Sequence, residues 1–206
     1  AVTEGFDALK LKVGARPVEE DIERLRAVRE AVGEGVELRA DANGAWTAEE
    51  ATHAFDALAE VGVSYIEQPL PADDLAGHTA LRGGPVDVAL DEALAEHSVD
   101  EVLAELAADV LVIKPMVVGG VDRAREVATT AREVGVDPVF STTVDAVVAR
   151  TGAVHLAASL PDVRACGLAT ASLLAEDLSD DPAPVSDGAI EVPQGKGLGL
   201  PDRPAR

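Results

Sequence analysis

The sequence predicts an α/β fold of the barrel type, in which parallel strands alternate with helices. Short runs of β-branched residues alternate with longer amphipathic stretches along the 206 residues, which is the pattern of strands joined by helical crossovers. The residues that follow successive strands recur about every 25 positions, and at six strand ends they are polar or ionisable. A doubly wound sheet would also alternate, but polar residues converging on one rim are typical of a barrel.

Each predicted element rests on a local pattern. The β-branched runs predict strands at 8–13, 36–40, 63–66, 86–90, 110–113, 138–140 and 163–166. The amphipathic stretches predict helices at 17–32, 47–61, 98–107, 119–134 and 143–159, with a short or irregular one at 72–82. The first helix has Pro17 in its first turn, where proline is tolerated, and the second begins with the capping box Thr47 to Glu50.

Composition excludes several classes of protein. The 17 basic and 38 acidic residues give a net charge of −21, which repels a nucleic-acid backbone, and the 2% aromatic content leaves little for base stacking. No apolar run approaches membrane-spanning length and no signal peptide opens the chain, so we expect a cytoplasmic protein without a membrane partner. The single cysteine fits a reducing compartment.

The charge has a second interpretation. Acidic residues are spread over every predicted helix, and there are only four lysines beside 13 arginines. This predicts a surface adapted to high salt, as in a halophile, because salt screens the self-repulsion of such charge. An ordinary acidic cytosolic protein is the alternative.

Three carboxylates stand at the ends of three consecutive predicted strands, namely Asp41, Glu67 and Asp91. Oxygen ligands without clustered histidine or cysteine suit a hard cation, which we expect to be Mg²⁺. Any one of these residues could instead cap the helix that follows. Three at corresponding positions favour a metal site.

Three of the four lysines also stand at strand ends. Lys10 and Lys12 lie two residues apart and share one face of a strand, and Lys114 comes from the far side of the carboxylates. The mutual repulsion of Lys10 and Lys12, with a metal nearby, would lower the pKa of one of them toward neutrality, so that it can act as a base. A base on one face of a substrate, a cation on the other and a metal on its carboxylate would suit removal of the proton next to that carboxylate.

The ordered set of strand-end motifs resembles the enolase superfamily, and within it the muconate-lactonizing subgroup. The motifs are Lys10-Leu-Lys12, Asp41-Ala-Asn43, Glu67-Gln-Pro69, Asp91-Glu92 and Lys114-Pro115, followed by Gly119-Gly120. The late segments around Phe140 and Cys166 are most similar to o-succinylbenzoate synthases of salt-loving archaea. The resemblance implies an enolase-type (β/α)7β barrel, here lacking the first strand and the N-terminal capping domain. Residues 1–178 would form strands two to eight, and 179–206 a tail returning toward that domain.

The resemblance also implies a role for each residue. Asp41, Glu67 and Asp91 would bind Mg²⁺, with Asn43 and Glu92 orienting these ligands. Lys12 would take the α-proton, Lys114 would stabilise the enediolate as a cation, and Lys10 would tune Lys12. A further set would line the pocket near the succinyl carboxylate of a small-molecule substrate: Ser141, Thr142 and Gly167.

The implied reaction is the syn-dehydration of 2-succinyl-6-hydroxy-2,4-cyclohexadiene-1-carboxylate in menaquinone biosynthesis. N-succinylamino acid racemase, or another cycloisomerase of the subgroup, is the alternative within the family, and a non-catalytic acidic binding domain is the alternative outside it. A dipeptide epimerase would be expected to show an Asp-x-Asp pair where this chain reads Gly167-Leu-Ala-Thr170. A homo-oligomer is possible. The chain starts at Ala1, so it is either processed or part of a longer protein.

Overall fold

A computed structural model describes residues 1–201 of the chain. Six parallel strands form one curled sheet in which each strand pairs with the next along the chain, from β1 to β6. They are β1 (Ala8–Lys12), β2 (Glu37–Asp41), β3 (Val63–Glu67), β4 (Asp87–Leu90), β5 (Val110–Ile113) and β6 (Asp137–Phe140). This consecutive order confirms the predicted barrel-type fold and not a doubly wound sheet, whose strand order would reverse.

Helices connect the strands on the outside of the sheet. They are α1 (Val18–Val32), α2 (Ala48–Val61), α3 (Leu75–Leu81), α4 (Ala93–Glu96), α5 (Val99–Ala104), α6 (Pro115–Val118), α7 (Val121–Glu133) and α8 (Val147–Ala158). The capping box predicted at Thr47 is present, since Glu50 N–H donates to the Thr47 hydroxyl and the Glu50 carboxylate accepts from Thr47 N–H. The short helices α4 and α6 are additional to the predicted set, and four residues are too few to show helical periodicity.

The predicted strand at 163–166 is wrong. This segment makes a single parallel bridge to the sheet, between Ser141 and Gly167, where Gly167 N–H donates to Phe140 O at 2.8 Å. Arg164 pairs with Asp87 and Asp137 at the opposite end of the strands. Ladder pairing at a single residue is too little to define a strand, although the segment still runs alongside β6.

Within the tail, β7 (Val185–Ser186) and β8 (Ala189–Ile190) form a small antiparallel hairpin. The hairpin turn packs on the first residues of the chain so closely that a side chain at Gly188 would collide with the backbone of Gly5. The domain division at 178 and the direction of the tail toward a capping domain stay predictions. Residues 202–206 of that tail lie outside the described residues.

Both faces of the sheet are buried, and strand alternation separates two sets of side chains. Alternate residues such as Leu38, Ile66 and Leu90 pack against the helices in the main core. The residues between them line the inside of the curl, where a small separate cluster forms from Tyr65, Ala89, Val110, Val112 and Val139. Within residues 1–201, no helix combines the length and apolar character needed to cross a membrane.

Candidate active site

The strand-end residues meet at the inner rim of the barrel. Successive side chains of a strand point to opposite faces of the sheet, so every second one points inward. On β1, Leu9 and Leu11 pack against the helix-facing core, so Lys10 and Lys12 point inward. The same alternation carries Asp41, Glu67 and Asp91 inward from the next three strands. Parallel strands end at one edge, so these side chains converge there.

Lys10 joins two of the three carboxylates. Its Nζ lies 2.8 and 2.7 Å from the two Glu67 oxygens and 2.9 Å from Asp41 Oδ2. Asp41 and Glu67 are almost completely buried, so the ammonium compensates charges that would otherwise be costly to remove from water.

Lys12 begins a hydrogen-bonded chain along the mouth of the site. Its Nζ lies 2.7 Å from Asp41 Oδ2 and 2.6 Å from Asn43 Oδ1, and Asn43 Nδ2 donates to Glu92 Oε1 at 2.7 Å. Asn43 also donates its backbone N–H to Asp41 Oδ1 at 3.0 Å. Asn43 therefore orients both Asp41 and Lys12, whereas the side-chain contact of Glu92 in this chain is with Asn43.

Lys114 approaches from the other side, where it forms an ion pair with Asp91. It is the residue after β5, and its ammonium faces the carboxylate cluster opposite the β1 lysines. The side chain of Lys12 is 64% exposed and that of Lys114 is 22% exposed. The two amines therefore flank the carboxylates, and both are accessible to solvent.

Burial and crowding shift the pKa values of the carboxyl groups in different directions. Burial, with the negative charges of Asp41 and Asp91 nearby, raises the pKa of Glu67 to about 7 despite Lys10. Burial also raises the pKa of Asp91, against the opposing effect of Lys114. For Asp41, burial acts in the same sense, but Lys10 and Lys12 outweigh it and hold its pKa below the usual value.

In this arrangement Lys10 is not the β1 lysine whose pKa falls. Burial opposes its charge, but Glu67 and Asp41 outweigh that effect and raise the pKa of Lys10 above its ordinary value. Lys10 therefore remains an ammonium in this arrangement, because its Nζ bonds to two carboxylates.

The donor set suits a hard divalent cation, although the side chains stand paired with lysines. Within residues 1–201, no three acidic, histidine or cysteine side chains are arranged to hold a metal as they stand. Asp41, Glu67 and Asp91 nevertheless form a buried, mutually repelling oxygen cluster in which each carboxylate bonds to an ammonium. A divalent cation would relieve this repulsion, so the residues fit such a group.

A cavity of about 510 Å³ lies beside Glu67, the one carboxylate of the three that lines it. It lies between β1 and segment 163–168, and Lys10, Glu67, Ser141 and Gly167 line it together with inner-face residues as deep as Tyr65. Thr142, predicted to line the pocket, does not: it follows Ser141 and therefore points the other way, where its hydroxyl lies 2.9 Å from that of Thr170.

Sequence reasoning missed two buried polar residues beside the site. Gln68 and His78 are fully buried, and the Gln68 side chain bonds to the backbone at Asp91. Gln68 is the middle residue of the Glu67-Gln-Pro69 motif. Its distant partners lie just after β4, on α4 and on α3, and no local pattern identifies them.

Comparison with known proteins agrees with this geometry. The family model described as enolase C-terminal domain-like matches residues 1–203. The chain is 38% identical over 194 residues to an o-succinylbenzoate synthase of Thermobifida fusca, covering 91% of this chain and 59% of that protein. It is 31% identical over 201 residues to the L-Ala-D/L-Glu epimerase of Bacillus subtilis, covering 96% and 55%.

Solved structures give the same result. The muconate lactonizing enzyme from Pseudomonas putida superimposes with a TM-score of 0.89 at 26% identity, covering 96% of this chain and 56% of that one. The chain thus spans little more than half the length of the relatives it matches, and a partial barrel is what such a span contains. With the strand-end lysines and carboxylates on one rim and a family match over nearly its whole length, the chain belongs to the enolase C-terminal domain-like family.

Proposed function

We propose that this chain carries the catalytic rim of an o-succinylbenzoate synthase, which removes water from 2-succinyl-6-hydroxy-2,4-cyclohexadiene-1-carboxylate. The observation that carries the proposal is the pair of amines on opposite sides of the carboxylate cluster. Lys12 bonds to Asp41 on one side, and Lys114 pairs with Asp91 on the other. A substrate held between them would meet a proton acceptor on one face and a fixed positive charge on the other.

Asp41, Glu67 and Asp91 would hold Mg²⁺. When bound, the cation supplies positive charge that stabilises the carboxylate of the substrate as its α-proton leaves. Lys12, in its neutral form, takes the proton from the carbon next to that carboxylate. Lys114 stabilises the negative charge that develops, and Asn43 holds Lys12 in position.

The second half of the reaction balances the first. The C–O bond to the hydroxyl group breaks, and the electron pair left by the α-proton completes the aromatic ring. The Lys12 ammonium returns its proton to the departing hydroxyl, so that water leaves and the lysine is neutral again. Lys12 therefore acts once as base and once as acid, on one face of the substrate.

Two features favour the dehydratase over the other activities of the relatives. The o-succinylbenzoate synthase named above shares 38% identity with this chain, against 31% for the L-Ala-D/L-Glu epimerase. Residues 167–170, beside the cavity, carry no acidic side chain that could bind the ammonium group of a dipeptide. The menaquinone pathway, a cytoplasmic location, a high-salt habitat and a homo-oligomer remain predictions that go with this proposal.

An N-succinylamino acid racemase is the second candidate, because the same two lysines could serve as opposed bases. A racemase must use Lys114 as a base, whereas the dehydratase needs only its charge. Arginine keeps the charge and does not give up its proton at neutral pH, so Lys114→Arg separates the two reactions.

The test is an assay of the full gene product with Mg²⁺ and each of the two substrates. We expect dehydration to fall about 10²- to 10⁴-fold in Lys12→Met, and Lys114→Arg to retain more activity than Lys114→Met. Lys196→Met, in the tail, is the matched control and should behave as wild type. Dehydration that survives Lys12→Met would refute the mechanism, and failure to bind Mg²⁺ would favour a non-catalytic acidic binding domain.

A further inference from the structure

Gln68 adopts an uncommon backbone conformation directly after a candidate metal ligand. Its φ is 42°, in the left-handed region that a side chain with a Cβ rarely occupies. Two backbone hydrogen bonds hold it there: Gln68 N–H donates to Ala89 O at 2.8 Å, and Gly44 N–H donates to Gln68 O at 2.7 Å. Strain of this kind persists where the surroundings impose it, and it turns the Gln68 side chain toward the end of β4.

The amide of Gln68 connects the ends of β3 and β4. Its Oε1 accepts from Asp91 N–H at 3.2 Å and from Ala93 N–H at 3.1 Å. Its Nε2 donates to Leu70 O at 3.0 Å and faces His78 Nε2 at 3.2 Å. Every one of these contacts is buried, so each lost partner would leave a polar group unsatisfied.

His78 determines which way this amide is turned. Its Nδ1 lies 2.7 Å from Asp74 O, a carbonyl that can only accept, so Nδ1 carries the hydrogen. In the neutral ring Nε2 is then an acceptor. It accepts hydrogen bonds from Leu70 N–H at 3.3 Å and from the amide NH₂ of Gln68. Because the ring accepts, the NH₂ of Gln68 must face it and the oxygen must face Asp91.

We propose that Gln68 and His78 are positioning residues that hold the backbone at Asp91 and thereby set the affinity of the rim for a divalent cation. The chain of bonds runs from Asp74 O through His78 and Gln68 to the amides on either side of Glu92. With those two amides held, the Cα–Cβ direction of Asp91 is fixed toward the inner rim. The inference rests on the proposed function, since it assigns Asp91 to a cation site.

The experiment compares variants of the full gene product in Mg²⁺ binding by calorimetry, and in amide hydrogen exchange at Asp91 and Ala93 by NMR. Gln68→Met keeps the length of the side chain but removes all four contacts. Gln68→Glu keeps the acceptors for Asp91 and Ala93 but turns a carboxylate toward Leu70 O. His78→Gln can present an amide oxygen at the position of Nε2, whereas His78→Asn reaches only the position of Nδ1. Leu58→Ala is the control for lost stability, because Leu58 is a buried core residue of α2.

We expect Gln68→Met to weaken Mg²⁺ binding about 10- to 100-fold and to speed exchange at both amides. His78→Gln should retain more of the wild-type affinity for Mg²⁺ than His78→Asn, and Leu58→Ala should leave that affinity unchanged. Wild-type affinity in Gln68→Met, or an equal loss in Leu58→Ala, would overturn the inference while leaving the proposed function standing. A wild-type protein that binds no Mg²⁺ would overturn the proposed function, and the assignment of this positioning role with it.

Discussion

At the scale of single residues, the rim is a set of buried carboxylates, each paired with a lysine. Lys10 lies against Glu67 and Asp41, Lys12 against Asp41 and Asn43, and Lys114 against Asp91. Carboxylates placed this deep are stable only with a cation beside them, whether an ammonium or a metal ion. The scarcity of lysine elsewhere agrees with the use of an amine where it can both pair with a carboxylate and carry a proton.

His78 makes the unfolding free energy depend on pH in a definite direction. Burial, together with the nearby His97, lowers the pKa of His78 below its ordinary value of 6.5, against the opposing effect of Asp74. Below about pH 6.5 the unfolded chain binds a proton at this residue that the folded chain does not, so the folded state loses stability as the pH falls. The loss stops growing below the folded pKa.

We therefore expect wild type to lose more unfolding free energy than His78→Gln between pH 7.5 and pH 5, measured by urea denaturation. The comparison cancels the titration of Glu67, whose raised pKa acts in the opposite direction. Equal losses in the two proteins would contradict a neutral, buried His78.

At the scale of elements, segment 167–183 is anchored to α8 by two carboxylates. Asp177 accepts from Val147 N–H at 2.9 and 3.1 Å, which caps the N-terminus of the helix. One turn later, the fully buried Arg150 pairs with Asp181 and donates to Ala183 O at 3.1 Å. Segment 167–183, which begins at the cavity-lining Gly167, is thus held at its far end by a buried guanidinium.

Removing the carboxylate of the Arg150–Asp181 pair should cost more unfolding free energy than removing both charges. Asp181→Ala leaves a buried, uncompensated Arg150, and we expect it to cost about 3 kcal/mol of unfolding free energy. The double variant with Arg150→Met should be more stable than Asp181→Ala alone, because the buried charge is gone. Urea denaturation of the single and double variants measures both effects. Simple addition of the two single costs would show that Arg150 and Asp181 do not interact.

At the scale of the whole molecule, the acidic surface is the dominant feature. The net charge of −21 is far larger than the few charges at the rim, and self-repulsion of this size favours the expanded chain. The Debye length falls from about 10 Å at 0.1 M salt to about 3 Å at 1 M, so added salt should relieve most of the repulsion.

We expect the urea midpoint to rise when KCl is increased from about 0.1 to 1 M, the range over which screening changes most. A variant with four exposed glutamates changed to glutamine should gain less from salt: Glu23, Glu30, Glu49 and Glu133. An equal gain in the two proteins would mean that salt acts through something other than surface charge.

The sequence alone determined the alternation of strands and helices and the residues at the strand ends. These follow from local periods and from the shared edge of parallel strands, so Asp41, Glu67 and Asp91 converge without any long-range information. The same parity rule was available for Thr142, which lies one residue after an inward Ser141 and therefore points away.

Only the tertiary structure decided which partners meet across the fold. The pairing of Lys10 with two carboxylates, the loss of the predicted 163–166 strand and the Gln68–His78 contact all join residues from different elements. Such contacts depend on how strands and loops pack, and a buried amide or imidazole is oriented by whichever donors and acceptors surround it. The candidate site residues could therefore be predicted from the sequence. The contacts that hold them in place could be seen only in the folded structure.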